Sequence, residues 1–459
     1  MGMRNNANMR METKNQDNLM EKLIALCKRR GFVFPGSEIY GGLANSWDYG
    51  PLGAQLKKNI KDEWWRRFVE RRGDMVGLDA AVIMNPKVWE ASGHLATFSD
   101  PLIECKKCHE RFRADNIPDL ETCPSCKEKK TFTEAKNFNL MLKTSLGPKE
   151  DSASAAYLRP EIAQAMFVDF KNVLETSRKR LPFGIASQGR AFRNEITPGN
   201  FIFRTREFDL MEFEYFVKPE EWEKHFEYWL SEMKSWLKHL GISDERLHFV
   251  EIAPEDRAHY SKRTVDVEYD YPFGQKELYG LAYRSDFDLN NHMGASRVDL
   301  QYMDPVTNEK FVPHVIEPTF GLDRSVLVSL LEAYTEDKEN ERTYLKLPMW
   351  MAPYKAAVFP LLANKPALVE KARGVYDALR ATGNGPIAWD ERGNVGKRYY
   401  AQDEIGTPFC ITVDFETVGE EGSDPAKINT VTVRSRDTMT QERIAIKDLE
   451  QYLRTKLTA

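Results

Sequence analysis

Apolar residues recur at helical spacing in several stretches of the chain. Leu19, Leu23, Ile24 and Cys27 predict an amphipathic helix over 19–30. Leu56, Ile60, Trp64 and Phe68 repeat every fourth position and predict a long helix over 54–72, after a glycine- and aromatic-rich turn region at 37–53. Trp222, Phe226, Trp229, Met233, Trp236 and Leu240 share one face of a third helix, 221–240, and that stripe reads as core packing. Short β-like runs alternate with turns from 157 to 214 and again from 265 to 315. Residues 318–334 predict a turn followed by an apolar helix, and the charged run 335–342 marks the end of a domain. Beyond 353 the pattern alternates: strands at 356–359, 409–415 and 430–433, helices at 366–380 and 446–457. This is a small α/β unit after an α+β one. Residues 103–135 break the pattern, being rich in Cys and Lys and poor in aliphatics, which predicts an inserted module.

Length narrows this to two or three domains, since the chain has 459 residues. Its 65 basic and 70 acidic side chains give a net charge of −5, so any nucleic acid must be met by local basic patches. No run of eighteen apolar residues is present, which excludes a membrane-spanning helix, and the polar first residues lack the apolar stretch of a signal peptide. Residues 1–18 are expected as a disordered tail. Cys27 and Cys410 stand alone in apolar runs and read as small buried hydrophobes.

The other four cysteines carry chemistry. Cys105-Lys-Lys-Cys108 and Cys123-Pro-Ser-Cys126 are two CxxC knuckles separated by fourteen residues. Each tight turn puts two thiolates on one ion, and two turns close a tetrahedral shell that suits Zn²⁺. A closed four-thiolate shell has no open position, so the zinc is structural. Lys106, Lys107, Lys127, Lys129 and Lys130 surround it and could face RNA phosphates or solvent.

A second cluster is a charged hairpin. Gly189-Arg-Ala-Phe-Arg-Asn-Glu195 ends one strand, a turn follows, and a strand over 201–216 returns with Arg204, Arg206, Glu207 and Phe208. Guanidinium groups match phosphate oxygens, a carboxylate accepts from an exocyclic amine, and a phenyl ring stacks on a base. The pattern Phe192-Arg193-x-Glu195, a loop, then Arg204-x-x-x-Phe208 resembles motif 2 of the class II aminoacyl-tRNA synthetases. Gly321-Leu-Asp-Arg324 with the apolar helix after it resembles motif 3, and Tyr49-Gly-Pro-Leu-Gly53 with helix 54–68 resembles motif 1. Ser92-Gly-His94, Leu158-Arg-Pro-Glu161, Glu277-Leu-Tyr-Gly-Leu-Ala282, Asp286-Phe-Asp-Leu289, Glu317-Pro-Thr-Phe-Gly321 and Asp403-Glu-Ile-Gly-Thr-Pro408 are similar to strings of the glycyl-tRNA synthetase family in particular. The resemblance runs in order from about residue 19 to 459.

That resemblance implies a fold, a set of site residues and partners. The fold is α+β: an antiparallel sheet flanked by helices forms a catalytic domain over 19–348, with a zinc-knuckle insertion at 103–135 and a helical insertion at 217–265. A C-terminal α/β anticodon-binding domain follows over 349–459. Arg193 and Arg324 are the implied catalytic residues. ATP is implied at Arg193, Asn194, Glu195, Phe203, Arg204, Phe208, Glu277, Leu278, Gly321 and Arg324, with Glu277 also helping to hold Mg²⁺. Glycine is implied at Arg113, Glu161, Phe208, Asp209, Glu212, Arg284, Glu317, Thr319 and Gly321, with Asp209 or Glu212 as the third carboxylate of the ammonium pocket. Thr319 stands where the family usually has Ser, and its extra methyl could crowd the α-carbon. Because every competing amino acid is larger than glycine, steric exclusion suffices and no editing domain is expected.

The implied partners are tRNA(Gly) and a second copy of the chain in a homodimer, in the cytoplasm and away from membranes. In the C-terminal domain the loop 391–400 mixes Arg392, Lys397 and Arg398 with Tyr399 and Tyr400, close to Trp389, a composition that suits unstacked anticodon bases. Two other readings compete. A non-catalytic paralogue would be expected to lose charges that Arg193, Glu195, Glu277 and Arg324 retain. A synthetase for another amino acid fits the acid-rich Glu161/Glu317 pair poorly.

Overall fold

The computed structural model describes residues 18–117, 119–148, 154–420 and 422–458; the expected tail falls outside these except for Asn18, which opens helix α1 (18–30). Seven strands build the central sheet: β1 Met75–Gly77, β2 Phe183–Phe192, β3 Glu207–Val217, β4 Leu247–Glu251, β5 Arg263–Tyr271, β6 Gly274–Ser285 and β7 His314–Gly321. Their order is β4-β5-β6-β7-β3-β2-β1. Every neighbouring pair is antiparallel except β1 with β2.

Strand alternation divides the sheet into two chemistries. Met211, Phe213, Tyr215 and Val217 of β3 face a large core together with Ile316 and Phe320 of β7. Helix α2 (Pro51–Trp65) brings Trp64 to this face, and the π-turn Arg66–Glu70 that continues it brings Phe68. Helix α3 (Trp222–His239) adds Trp229 and Trp236, the stripe legible in the sequence. Phe213 lies 4.5 Å from Trp229 and 5.9 Å from Phe68, centroid to centroid. Each such aromatic contributes about 1.5–3 kcal/mol by leaving water. α2 starts at Pro51, earlier than expected, because proline suits the first helical position. The opposite face of β3 carries Phe208, Leu210, Glu212 and Glu214, and the candidate site is built there.

Three segments differ from expectation. Residues 217–265, expected as a helical insertion, supply α3 but also β4, which closes one edge of the central sheet. The cysteine module is wider than 103–135: it is a three-stranded sheet of Ser99–Glu104, Arg111–Arg113 and Lys136–Asn139. The charged run 335–342, expected to mark the end of a domain, is itself folded. Strands Tyr334–Asp337 and Arg342–Leu345 form a hairpin there, and Arg342 is buried against Asp337 at 3.0 Å and Asp403 at 2.8 Å.

The C-terminal unit is a mixed five-stranded sheet. Its strands are β8 Ala356–Pro360, β9 Ile387–Trp389, β10 Phe409–Val413, β11 Thr430–Ser435 and β12 Gln441–Ala445, in the order β9-β8-β10-β11-β12. β8 runs parallel to β9 and β10 and the remaining pairs are antiparallel. A separate core packs Leu368, Ala372, Val375 and Leu379 of Pro366–Ala381 on this sheet, with Leu449 and Leu453 of Leu449–Thr458. Asp403, fully buried, ties the two units: it accepts from Arg342 of the hairpin and from Arg434 of β11. Residues 391–400, read as a loop, turn into helix Val395–Glu404. Arg398 is therefore not a nucleic-acid contact: it is buried and donates to the carbonyls of Pro360, Glu391, Arg392 and Gly393. Tyr399 likewise turns inward to Thr412. Arg392, Lys397 and Tyr400 remain exposed.

Candidate active site

A cavity of about 540 Å³ opens on the polar face of β3, β6 and β7. All the residues expected to hold ATP or glycine line it except Asn194 and Arg284. Contacts divide the lining into two groups: Arg193, Glu195, Phe203, Arg204, Phe208, Glu277 and Arg324 form a cationic end, and Glu161, Glu212, Glu317 and Thr319 an acidic one.

The cationic end is assembled by the hairpin β2–β3, in register Phe192↔Glu207. The returning strand begins at Glu207 rather than 201, because Phe201–Phe203 form a 3-10 turn entered through Asn200 and Phe201, both at positive φ. Asn45 fastens that turn from outside, its Nδ2 donating to Phe201 O at 2.9 Å and Arg204 O at 2.7 Å. Arg193 Nε donates to Pro160 O, and its guanidinium lies 5.4 Å from the Phe98 ring and 5.2 Å from the Phe208 ring. It has no carboxylate partner among the described residues, which leaves its charge for a ligand. Glu195 stands 3.9 Å from Arg204.

Arg324 opens helix Leu322–Ala333 and reaches across to β6. Its Nη1 donates to Glu277 O at 3.0 Å and pairs with the Glu277 carboxylate at 3.2 Å. That guanidinium holds the Glu277 carboxyl below its ordinary range. Glu277 faces the cavity because of a β-bulge. Val267 pairs with Tyr279 but Glu268 pairs with Glu277, so Leu278 is an extra residue and Glu277 changes face. Asp266, beside it on β5, is pushed up to about 7 by burial and by Glu277.

The acidic end is built differently. Glu161 is largely shielded, which by itself would raise its carboxyl, yet His94 at 3.2 Å, together with Arg284 and Gln164, holds it far below the usual range. Ser92 Oγ meets His94 Nδ1 at 2.8 Å and fixes the ring. Glu212 accepts from Thr319 Oγ1 at 2.6 Å. Glu317 accepts from Arg284, which sits on a second bulge of β6 between Tyr283 and Ser285. Gly189 permits the wall behind: a Cβ there would meet Arg159 Nη2 at 2.2 Å, where that arginine crosses to Arg190 O.

Three expectations are corrected by this geometry. Arg284 does not reach the cavity; it is 1% exposed and its guanidinium is spent on Asp288 and Glu317. Asn194 lines nothing and contributes a backbone bond to Leu140 O. Of Asp209 and Glu212, it is Glu212 that adjoins Glu317, whereas Asp209 turns to Lys57 of α2 at 2.6 Å. Arg113 does line the cavity, held by Asp100 at 3.0 Å. Sequence reasoning gave His94 no role and missed Phe98, Tyr260 and Asp266. Only His94 stood within a recognisable string.

Thr319 keeps the hydroxyl that a serine would offer, and its methyl does not displace the Glu212 bond. Thr319→Ser should leave the KM for glycine within about threefold. Thr319→Val strips a buried carboxylate of its donor, a loss of about 1–2 kcal/mol, and should raise that KM on the order of tenfold. Initial-rate measurements of amino-acid-dependent pyrophosphate exchange decide it, and equal KM values for both variants would deny the bond any role.

Comparison with known proteins identifies the family. Residues 146–334 match the model of the tRNA synthetase class II core domain (G, H, P, S and T), and residues 355–456 match that of the anticodon binding domain. The chain is 49% identical over 468 residues to the glycine–tRNA ligase of Alkaliphilus oremlandii, covering 95% of this chain and 98% of that one. It is 50% identical over 463 residues to the glycine–tRNA ligase of Streptomyces coelicolor, with 95% and 98% covered. To that of Geobacillus thermodenitrificans it is 49% identical over 468 residues, with 95% and 97% covered.

Proposed function

The chain belongs to the glycine–tRNA ligase family of class II synthetases, and we propose that it activates glycine with ATP in this cavity and transfers the glycyl group to tRNA(Gly). The observation that carries the reading is the lining of one cavity, which brings Arg193, Arg204 and Arg324 together with the ring of Phe208 and the carboxylates of Glu161, Glu212 and Glu317. Such a site needs no protein nucleophile. The glycine carboxylate attacks the α-phosphorus, the bond to the leaving pyrophosphate breaks, and the protein contributes position and charge.

Arg193 takes the α-phosphate and the charge that develops on it. Arg324 and Arg204 hold the γ-phosphate of a bent ATP. Glu195 reads the adenine amino group and Phe208 stacks on the ring. Glu161, Glu212 and Glu317 receive the ammonium of glycine. Mg²⁺, when bound, would neutralise the triphosphate, with Glu277 as its protein ligand. Cys105, Cys108, Cys123 and Cys126 fit a structural Zn²⁺, since their sulfur atoms lie within 4.8 Å of one another. The C-terminal unit receives the anticodon, with exposed Arg392 and Lys397 as available cations and Tyr400 as a stacking ring. Among the described residues no helix is long and apolar enough to cross a membrane, and a cytoplasmic homodimer is the setting we infer. Ile39, Tyr40 and Leu43, 88%, 87% and 66% exposed beside α2, support a subunit contact there.

ATP–pyrophosphate exchange across all twenty amino acids tests the reading, with Arg193→Ala as control. Glycine alone should support exchange, and the variant should lose it. Exchange with another amino acid would move the specificity, and none at all from folded protein would point to a nucleic-acid-binding paralogue.

A further inference from the structure

Glu212 and Glu214 of β3 and Glu317 of β7 meet beneath the acidic end of the cavity, with one oxygen of each within 4.8 Å of the others. Glu214 does not line the cavity. It is 0% exposed, and neither of its oxygens has a hydrogen-bond partner; Glu212 Oε2 has none either. A bare carboxylate in such a place is strongly disfavoured as an anion.

Among the described residues no cation is hydrogen-bonded to Glu212 or Glu214: Arg159, buried nearby, attracts Glu212 through space, but its guanidinium donates to the carbonyls of Ala80 and Arg190. From β6 comes Arg284, whose Nε and Nη2 bind Asp288 and whose Nη1 binds both oxygens of Glu317. From the 252–262 segment comes the Tyr260 ring, 3.7 Å from the Arg284 guanidinium. Across the cavity, Glu161 already absorbs His94 and one amide hydrogen of Gln164. His292, beside Asp288 on helix Phe287–Ser296, is bonded to Gln164, and burial lowers its basicity, so it adds no cation. Burial first, then mutual repulsion with Glu317, pushes Glu212 and Glu214 well above the ordinary carboxyl range; burial also raises Glu317.

We propose that Glu212, Glu214 and Glu317 share a proton in the substrate-free enzyme and release it to solvent when the ammonium of glycine arrives, with Glu214 as the positioning residue that stores it. The inference rests on reading Glu212 and Glu317 as the ammonium site. A carboxylic acid is a neutral floor when no cation is near; the incoming ammonium makes the anion favourable and lowers its proton affinity. Linkage then sets the sign. Between the bound and free titration points, glycine binds more tightly as pH rises, and the gain ends once the free cluster is already ionised. ATP, which meets only the other end, shows no such slope.

The test is calorimetric titration of the full chain with 5′-O-(glycylsulfamoyl)adenosine, a non-reacting mimic of the glycyl-adenylate, at pH 7. Buffers of different ionisation enthalpy are compared, and the slope counts protons. Wild type should release between about 0.5 and 1 proton per site. The analogue with a hydroxyl in place of the ammonium should release none. Glu214→Gln should still bind the mimic, more weakly, without release. Binding by wild type with no buffer dependence overturns the proposal whether or not the variant folds, as does undiminished release by Glu214→Gln. Failure of wild type to bind the mimic at all would instead overturn the glycine reading on which it stands.

Discussion

Arg324→Ala is expected to slow glycine-dependent pyrophosphate exchange on the order of 10²–10³-fold, the usual cost of removing one oriented charge from a transition state. The side chain is held ready for that role. Gly321 ends β7 and opens the helix Leu322–Ala333, so Arg324 sits in its first turn, where backbone N–H groups already favour an anion. Its guanidinium lies 4.6 Å from the Phe203 ring and is steered by the Glu277 carbonyl and carboxylate. With 21% of the side chain exposed, it lies at the cavity wall and not in the core, so the variant should keep its thermal unfolding midpoint. Arg324→Lys should recover only part of the rate, because an ammonium cannot offer two parallel donors to a phosphate. Stopped-flow or exchange assays at saturating ATP separate this from a binding defect. A loss below tenfold in both variants would mean that the phosphate charge is met elsewhere.

The parts of the molecule that were legible in the sequence share one property: they depend on local periodicity or on contiguous strings. The stripe Trp222–Leu240 and the repeat Leu56–Phe68 mark helices because apolar spacing survives translation into burial. The hairpin arginines could be placed because their motif is contiguous. What escaped depends on non-local pairing. Glu277 could be placed from its string, but what turns it to the cavity, the single extra residue Leu278 in a strand that looks regular, could not be read. Arg284 sits on another such irregularity and serves Glu317 from behind. Arg342 reads only as part of a charged run that ends a domain, and Arg398 as an RNA contact. Their actual partners, Asp403 and a set of backbone carbonyls, could not be chosen from spacing alone. Glu214 reads as one more alternating polar position; only its lack of any partner makes it distinctive.

Stripping the metal from the cysteine knuckles should unfold the module spanning 99–139 and disable glycine activation with it. The sulfur pairs Cys105–Cys126 and Cys108–Cys123 each stand 3.7 Å apart. Bonds of about 2.3 Å to a central zinc imply tetrahedral edges of about 3.8 Å, so the four thiols are already placed for that ion. Little else supports the module. Ile103 is buried and Phe112 meets Phe132 at 5.8 Å, too small a core to stand without a crosslink. Structural zinc in small peptide modules contributes about 10–16 kcal/mol of apparent binding free energy, enough to decide whether this one folds. Its strands are also part of the active cavity. Asp100 and Arg113 pair across two of them, and Leu140 N donates to Phe98 O where the module joins the domain; all four residues line the cavity. One equivalent of zinc per chain should be found by mass spectrometry. Its removal, or Cys123→Ser, should speed amide exchange selectively over 99–139 while α2, α3 and the central sheet stay protected. The KM for glycine should rise as Arg113 and Asp100 lose their place. Zinc-free protein with unchanged protection of these strands would show that hydrogen bonding alone holds the module, and the metal would then have no structural part in the enzyme.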